Sequence, residues 1–109
     1  KNVQLGYKIK QIFKIPIWTL AEVIQKYVKS HIDFISIDTE GLDLEVLESN
    51  NWKKFRPRVI CVESGDFFSI ITGMKKNNKK EAIDTIMSKN MYRVYYDNGL
   101  NTIYLDDKN

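Results

Sequence analysis

At 109 residues, 43 % apolar and 28 % charged, the chain holds one small domain or part of one, with the composition of an ordinary globular protein. Its net charge of +3 is too modest and too scattered for a nucleic-acid surface, and its single cysteine, Cys61, excludes an internal disulfide. No apolar run approaches the roughly 18 residues of a membrane span, so the sequence predicts neither a nucleic-acid nor a membrane partner.

The opening residues, Val3 to Ile15, mix apolar and basic positions and read as one or two short strands or an irregular hairpin, with a bend at Gly6. Pro16 and Trp18 lead into Thr19-Leu20-Ala21-Glu22, a capping box in which the Thr19 hydroxyl accepts from an early N–H and Glu22 reaches back. Leu20, Val23, Ile24, Tyr27 and Val28 follow at helical spacing as one buried stripe, closed by Ser30 and His31. Next, Asp33 to Ile37 is apolar on both alternating faces, which predicts a parallel strand covered by helices on both sides. A helix starting at Gly41 then carries Leu44, Val46 and Leu47 inward and Asp43, Glu45 and Glu48 outward, ending at Asn50-Asn51-Trp52.

Arg56-Pro57-Arg58 is a connector, because proline biases its predecessor away from helix. A second core strand spans Val59 to Val62, with Cys61 as a buried inert thiol, and Ser64-Gly65-Asp66 is a loop. Phe67 to Ile71 is apolar without a clear period. Lys75, Lys76, Lys79 and Lys80 read as a solvated loop leading into a helix from Lys79 to Lys89, with Ala82, Ile83, Ile86 and Met87 inward. Strands Tyr92 to Tyr96 and Thr102 to Leu105 are joined by Asp97-Asn98-Gly99, a strong hairpin turn.

The chemistry gathers at strand ends. The first core strand ends in Asp38-Thr39-Glu40-Gly41 and the second in Glu63. In open α/β sheets, ligands bind outside the carboxyl ends of parallel strands. If the two strands are parallel neighbours, about 4.8 Å apart, Asp38, Glu40 and Glu63 face one crevice. Asp38 and Glu40, two apart on extended backbone, point the same way. Crowded acids raise one another's pKa, which poises one of them as a base near neutral pH. His31, the only histidine, lies more than about 20 Å away at the other end of the strand and reads as a surface residue. Arg56 and Arg58 also sit at that far end and read as solvated, while Trp18, Trp52 and the hairpin tyrosines read as core.

On Trp18-Thr19-Leu20, Ile32 to Gly41, Leu42-Asp43-Leu44-Glu45-Val46-Leu47 and Phe55-Arg56-Pro57-Arg58-Val59-Ile60-Cys61-Val62-Glu63, the chain resembles the C-terminal half of the FkbM family of S-adenosylmethionine-dependent methyltransferases. The resemblance spans Trp18 to Glu63, and the closing helix and hairpin agree in order. It implies a three-layer, Rossmann-like class I methyltransferase fold, with parallel strands and an antiparallel C-terminal hairpin formed by Tyr92 to Leu105. It also implies methyl transfer from S-adenosylmethionine to a hydroxyl of a sugar or natural product. Asp38 or Glu40 would orient or deprotonate that hydroxyl, and Glu63 and Thr39 would contact the acceptor. The family's Gly-rich cofactor loop and ribose-binding acid lie upstream of these motifs, and neither occurs in residues 1–109. The expectation is therefore a single C-terminal piece, cytoplasmic, carrying the substrate side and inactive alone. The rival readings are an Asp-x-Glu metal site for phosphoryl or glycosyl transfer, and a non-catalytic remnant that forms a homo-oligomer through an exposed sheet edge.

Overall fold

The Thr19 capping box forms as its spacing requires: the Thr19 N–H donates to Glu22 Oε1 at 2.7 Å and the Glu22 N–H donates to Thr19 Oγ1 at 3.1 Å. It starts helix α1 (Leu20–Tyr27). In the computed structural model, which describes residues 6–65, 71–73 and 78–109, this is followed by strand β1 (Phe34–Ile37), helix α2 (Asp43–Glu48) and strand β2 (Val59–Glu63). Helix α3 (Lys79–Lys89) and strands β3 (Tyr92–Asp97) and β4 (Asn101–Asp106) complete the order. The reading of Phe67 to Ile71 and the placement of Lys75 and Lys76 fall largely outside the described residues.

The four strands form one mixed sheet in the order β1-β2-β4-β3. β1 and β2 are parallel, and β4 is antiparallel to both of its neighbours, β2 and β3. The closing hairpin thus inserts its second strand beside β2 and leaves β3 outermost. Its turn holds as the sequence indicates: Gly99 has φ 90°, and Asp97 Oδ1 accepts from the Gly99 N–H at 2.8 Å. A register irregularity between Val94 and Tyr96 bends the outer strand, a common way of blunting a sheet edge.

One cluster holds the sheet and helices together. Ile37, Ile60, Val62, Tyr92 and Tyr104 meet Leu47, Trp52, Ile83 and Met87, with Leu20, Leu44, Val46 and Ile86 packed against them. Helices α1, α2 and α3 therefore all contribute to one face of the sheet. The reason is topological. Both parallel connections, β1 to β2 through α2 and β2 to β3 through α3, step in the same direction across the sheet. Crossovers of one hand then place both helices on the same side.

By strand alternation the opposite face carries Phe34, Ser36, Val59, Cys61, Ile103 and Leu105, and no helix covers it among the described residues. Phe34 is 57 % exposed and Cys61 is only half-buried, so helices cover one face where the apolar run predicted two. Similarly, α1 stops at Tyr27, short of Ser30, and buries Ile24 alone; Tyr27 is exposed because this helix lies at the margin of the cluster. Residues 6–15 form neither a strand nor a hairpin; Gly6 does make the bend, at φ 81°. Trp18, Tyr95 and Tyr96 are exposed, whereas Trp52, Tyr92 and Tyr104 are core. No described helix is long and apolar enough to cross a membrane.

Arg56 is not solvated. It pairs with Asp106, donates to the Trp52 carbonyl at 3.0 Å and stacks 4.7 Å from the Tyr92 ring. This clamp ties the connector before β2 to the end of β4, because the antiparallel pairing brings both to the same end of the sheet. Arg58, by contrast, is exposed as expected.

Gly65 leaves no room for a side chain: a Cβ there would lie 1.9 Å from the Gly99 carbonyl oxygen. Its N–H and that of Ser64 both donate to the Leu100 carbonyl, which holds the loop after β2 against the hairpin turn. Gly65→Ala is expected to destabilise the fold by about 1–3 kcal/mol through overpacking, measurable by urea denaturation.

Candidate functional site

β1 and β2 pair in register Phe34↔Val59 to Ile37↔Val62. Continuing that register by one residue sets Asp38 beside Glu63 at the carboxyl end of the sheet. Both fall on the face away from the helices, since Ile37 and Val62 are buried beneath the helices. The parallel pairing that the sequence argument required is therefore present.

Beyond Asp38 the backbone departs from a strand. Glu40 has φ 52°, in the left-handed region that non-glycine residues avoid, and Gly41 has φ 102°. Glu40 is thus carried by a tight turn, and the argument from extended backbone does not apply to it. The turn is anchored by a residue that the helical pattern placed outward. Asp43, at the start of α2, has no exposed surface. Its Oδ1 accepts from the Thr39 N–H at 2.9 Å and from the Thr39 hydroxyl at 3.1 Å. Its Oδ2 accepts from Lys79 Nζ, at the start of α3, at 2.7 Å. Burial pushes the Asp43 carboxyl up, but the hydrogen bonds from Lys79 and Thr39 outweigh it and hold the group below the usual aspartate range.

The Asp38 and Glu40 side chains are exposed and Glu63 is half-buried. The Glu63 carboxyl is raised, first by burial and then by the charge of Asp38. Lys79 opposes this, and Asp43 and Glu40 add to it. The three acids therefore share one field. They do not form a ligand set: among the described residues, no three His, Cys, Asp or Glu side chains are arranged to hold a metal ion.

Asp43 and Lys79 are the two residues of the site that the sequence argument missed. A signal for Asp43 existed. It precedes the fully buried Leu47 by four residues, one helical turn, and so shares its face. Lys79 carried no such signal, because it belongs to a run of lysines that looks like surface; its side chain is only 15 % exposed, and its neighbour Lys80 pairs with Asp84 and Asp97. His31 is exposed at the amino end of β1, with Nε2 3.0 Å from Asp33. The depressions of about 280 and 330 Å³ around His31 and Arg56 also lie at that end and touch none of Asp38, Glu40 and Glu63.

The family model described as the methyltransferase FkbM domain matches residues 2–94. No curated protein matches the chain. Nor does any solved structure.

Replacing Asp43 by Asn leaves the Lys79 ammonium facing a neutral group and is expected to cost about 3 kcal/mol at neutral pH. Because the Asp43 carboxyl is held low, its contribution is complete above the ordinary aspartate value of 3.8 and is lost as the pH falls through its lower folded value. Urea denaturation should therefore show Asp43→Asn and the unaltered protein converging in acid. Glu63 has the opposite sign, since its folded value is raised and its ionised form costs stability. Glu63→Gln should stabilise the protein at neutral pH, with the gain disappearing below pH 4.5.

Proposed function

The chain belongs to the FkbM methyltransferase domain family, and from that premise we propose that it carries the acceptor side of an S-adenosylmethionine-dependent O-methyltransferase of class I, Rossmann-like architecture. The observation that carries this reading is the parallel register of β1 and β2, which aligns Asp38 with Glu63 where such sheets bind their ligands.

Transfer to a hydroxyl needs an oxygen lone pair aimed at the methyl carbon and a group that takes the proton. In this reading Asp38 or Glu40 accepts a hydrogen bond from the acceptor hydroxyl, turns its lone pair outward and receives the proton as the new bond forms. Glu63 and the Thr39 segment complete the contact surface. Most of the acceleration comes from holding the hydroxyl in line with the donor. Three carboxylates in one crevice repel a phosphorylated acceptor and tolerate a neutral polyol, which supports a sugar or polyhydroxylated natural product.

S-adenosylmethionine supplies the methyl group in this class, but the residues of this chain do not by themselves fit it. The turn after β1 carries one glycine, Gly41, and two of its N–H groups are already engaged: Thr39 with Asp43, and Leu42 with the Thr39 carbonyl at 3.4 Å. No part of the donor's chemistry is derived from these residues. A cofactor-binding half is expected to pair with the free edge of β1 and cover the open face of the sheet. The metal-dependent alternative gains no support from the arrangement of the acids.

Transfer of labelled methyl from S-adenosylmethionine to hydroxylated acceptors is expected only when the chain is joined to a cofactor-binding half. In that form, Asp38→Asn or Glu40→Gln should lower kcat by about 10² or more while leaving KM within a few-fold. Transfer by residues 1–109 alone, or full kcat in both variants, would overturn the reading.

A further inference from the structure

Lys79 joins three elements at the carboxyl end of the sheet. Its ammonium lies 2.7 Å from Oδ2 of Asp43 on α2, and the other oxygen of that carboxylate holds the N–H and hydroxyl of Thr39, the residue between Asp38 and Glu40. The two oxygens divide the work: one holds α3, the other holds the turn. Asp43 has no exposed surface, so water is not available to replace a lost partner.

We propose that Lys79 is a positioning residue for the acids of the crevice: through Asp43 it fixes the turn that carries Asp38 and Glu40, and its charge balances Glu63 across the gap. The inference depends on the methyl-transfer reading for its consequence, since a proton-accepting carboxylate must be ionised and held still; the effect on geometry and charge stands apart from it. Without the ammonium, Asp43 is left buried with one oxygen unpaired. With nothing to hold that oxygen in place, the carboxylate is fixed less firmly and its hold on Thr39 weakens. Among the described residues, the groups that act on Glu63 from the neighbouring segments are Asp38 and Glu40 after β1, Asp43 on α2 and Lys79 on α3. Lys79 is the cation among these four, so its loss moves the balance toward the protonated form.

The test is made on the chain itself, by carboxyl-resolved NMR titration and amide hydrogen exchange, with no methyl transfer involved. In Lys79→Met the Glu63 titration midpoint should move upward, and the Thr39 amide should exchange at least about tenfold faster, as expected for losing a charge-assisted contact. Lys79→Arg should restore both. If Lys79→Met does not fold, Lys79→Gln, which keeps a donor for Asp43 and removes only the charge, should still raise the Glu63 midpoint. Faster exchange with an unmoved Glu63 midpoint would mean a merely structural staple, and unchanged exchange would mean that Lys79 does not hold the turn; either result overturns the proposal. Neither bears on whether Asp38 or Glu40 accepts a proton, so failure here leaves the acceptor-side reading to be judged by its own assay.

Discussion

A carboxylate sealed away from water survives only if its charge and its lone pairs are both met, and Asp43 is the place where this fold satisfies that condition. The ammonium of Lys79 meets the charge at Oδ2, and the N–H and hydroxyl of Thr39 meet the lone pairs of Oδ1. Because those partners come from a turn and from a distant helix, the ionic pair also sets geometry. It joins the end of β1, the start of α2 and the start of α3 at one point. The turn it holds contains a non-glycine residue in the left-handed region, Glu40, a conformation worth of order 1–3 kcal/mol of strain that persists only where its surroundings over-determine it.

The far end of the sheet is fixed by a different ionic device. Arg56 and Asp106 are both nearly buried and face each other beside Tyr92, whose hydroxyl donates to the Pro57 carbonyl at 2.7 Å. The pairing of Arg56 with Asp106 keeps β2 and β4 aligned along their length, so that the Asp38 and Glu63 positions stay opposite one another at the other end. In the proposed reading, this clamp and the reacting acids occupy opposite ends of the strands. That division agrees with a sheet whose ligands lie beyond the carboxyl ends.

Between those ends the sheet is asymmetric. Its helices share one side because both parallel connections step the same way. The other side shows apolar residues at half exposure, and the β1 edge has no strand partner among the described residues. For a family member, an open apolar face beside a crevice of acids is what one half of a larger substrate-and-donor site would present. In the proposed reading these acids receive the acceptor hydroxyl, and the donor is held by residues outside them.

What is local and periodic was legible in the order of residues. The capping box of α1, the helix from Lys79 to Lys89, the strand from Val59 and the Asn98-Gly99 turn follow from interactions within a few residues. The acids at Asp38 and Glu63 were legible because each closes an apolar run. The tertiary structure decided which groups meet across the chain. Asp43 lies inward because Thr39 and Lys79 meet its carboxylate there, and Lys79 and Arg56 lose their exposure to partners 36 and 50 residues away. Among the described residues, helices cover one sheet face because of the direction of the crossovers, which composition and spacing do not encode. Local patterns are set by short-range backbone and side-chain geometry; long-range pairs are set by the fold that brings them together.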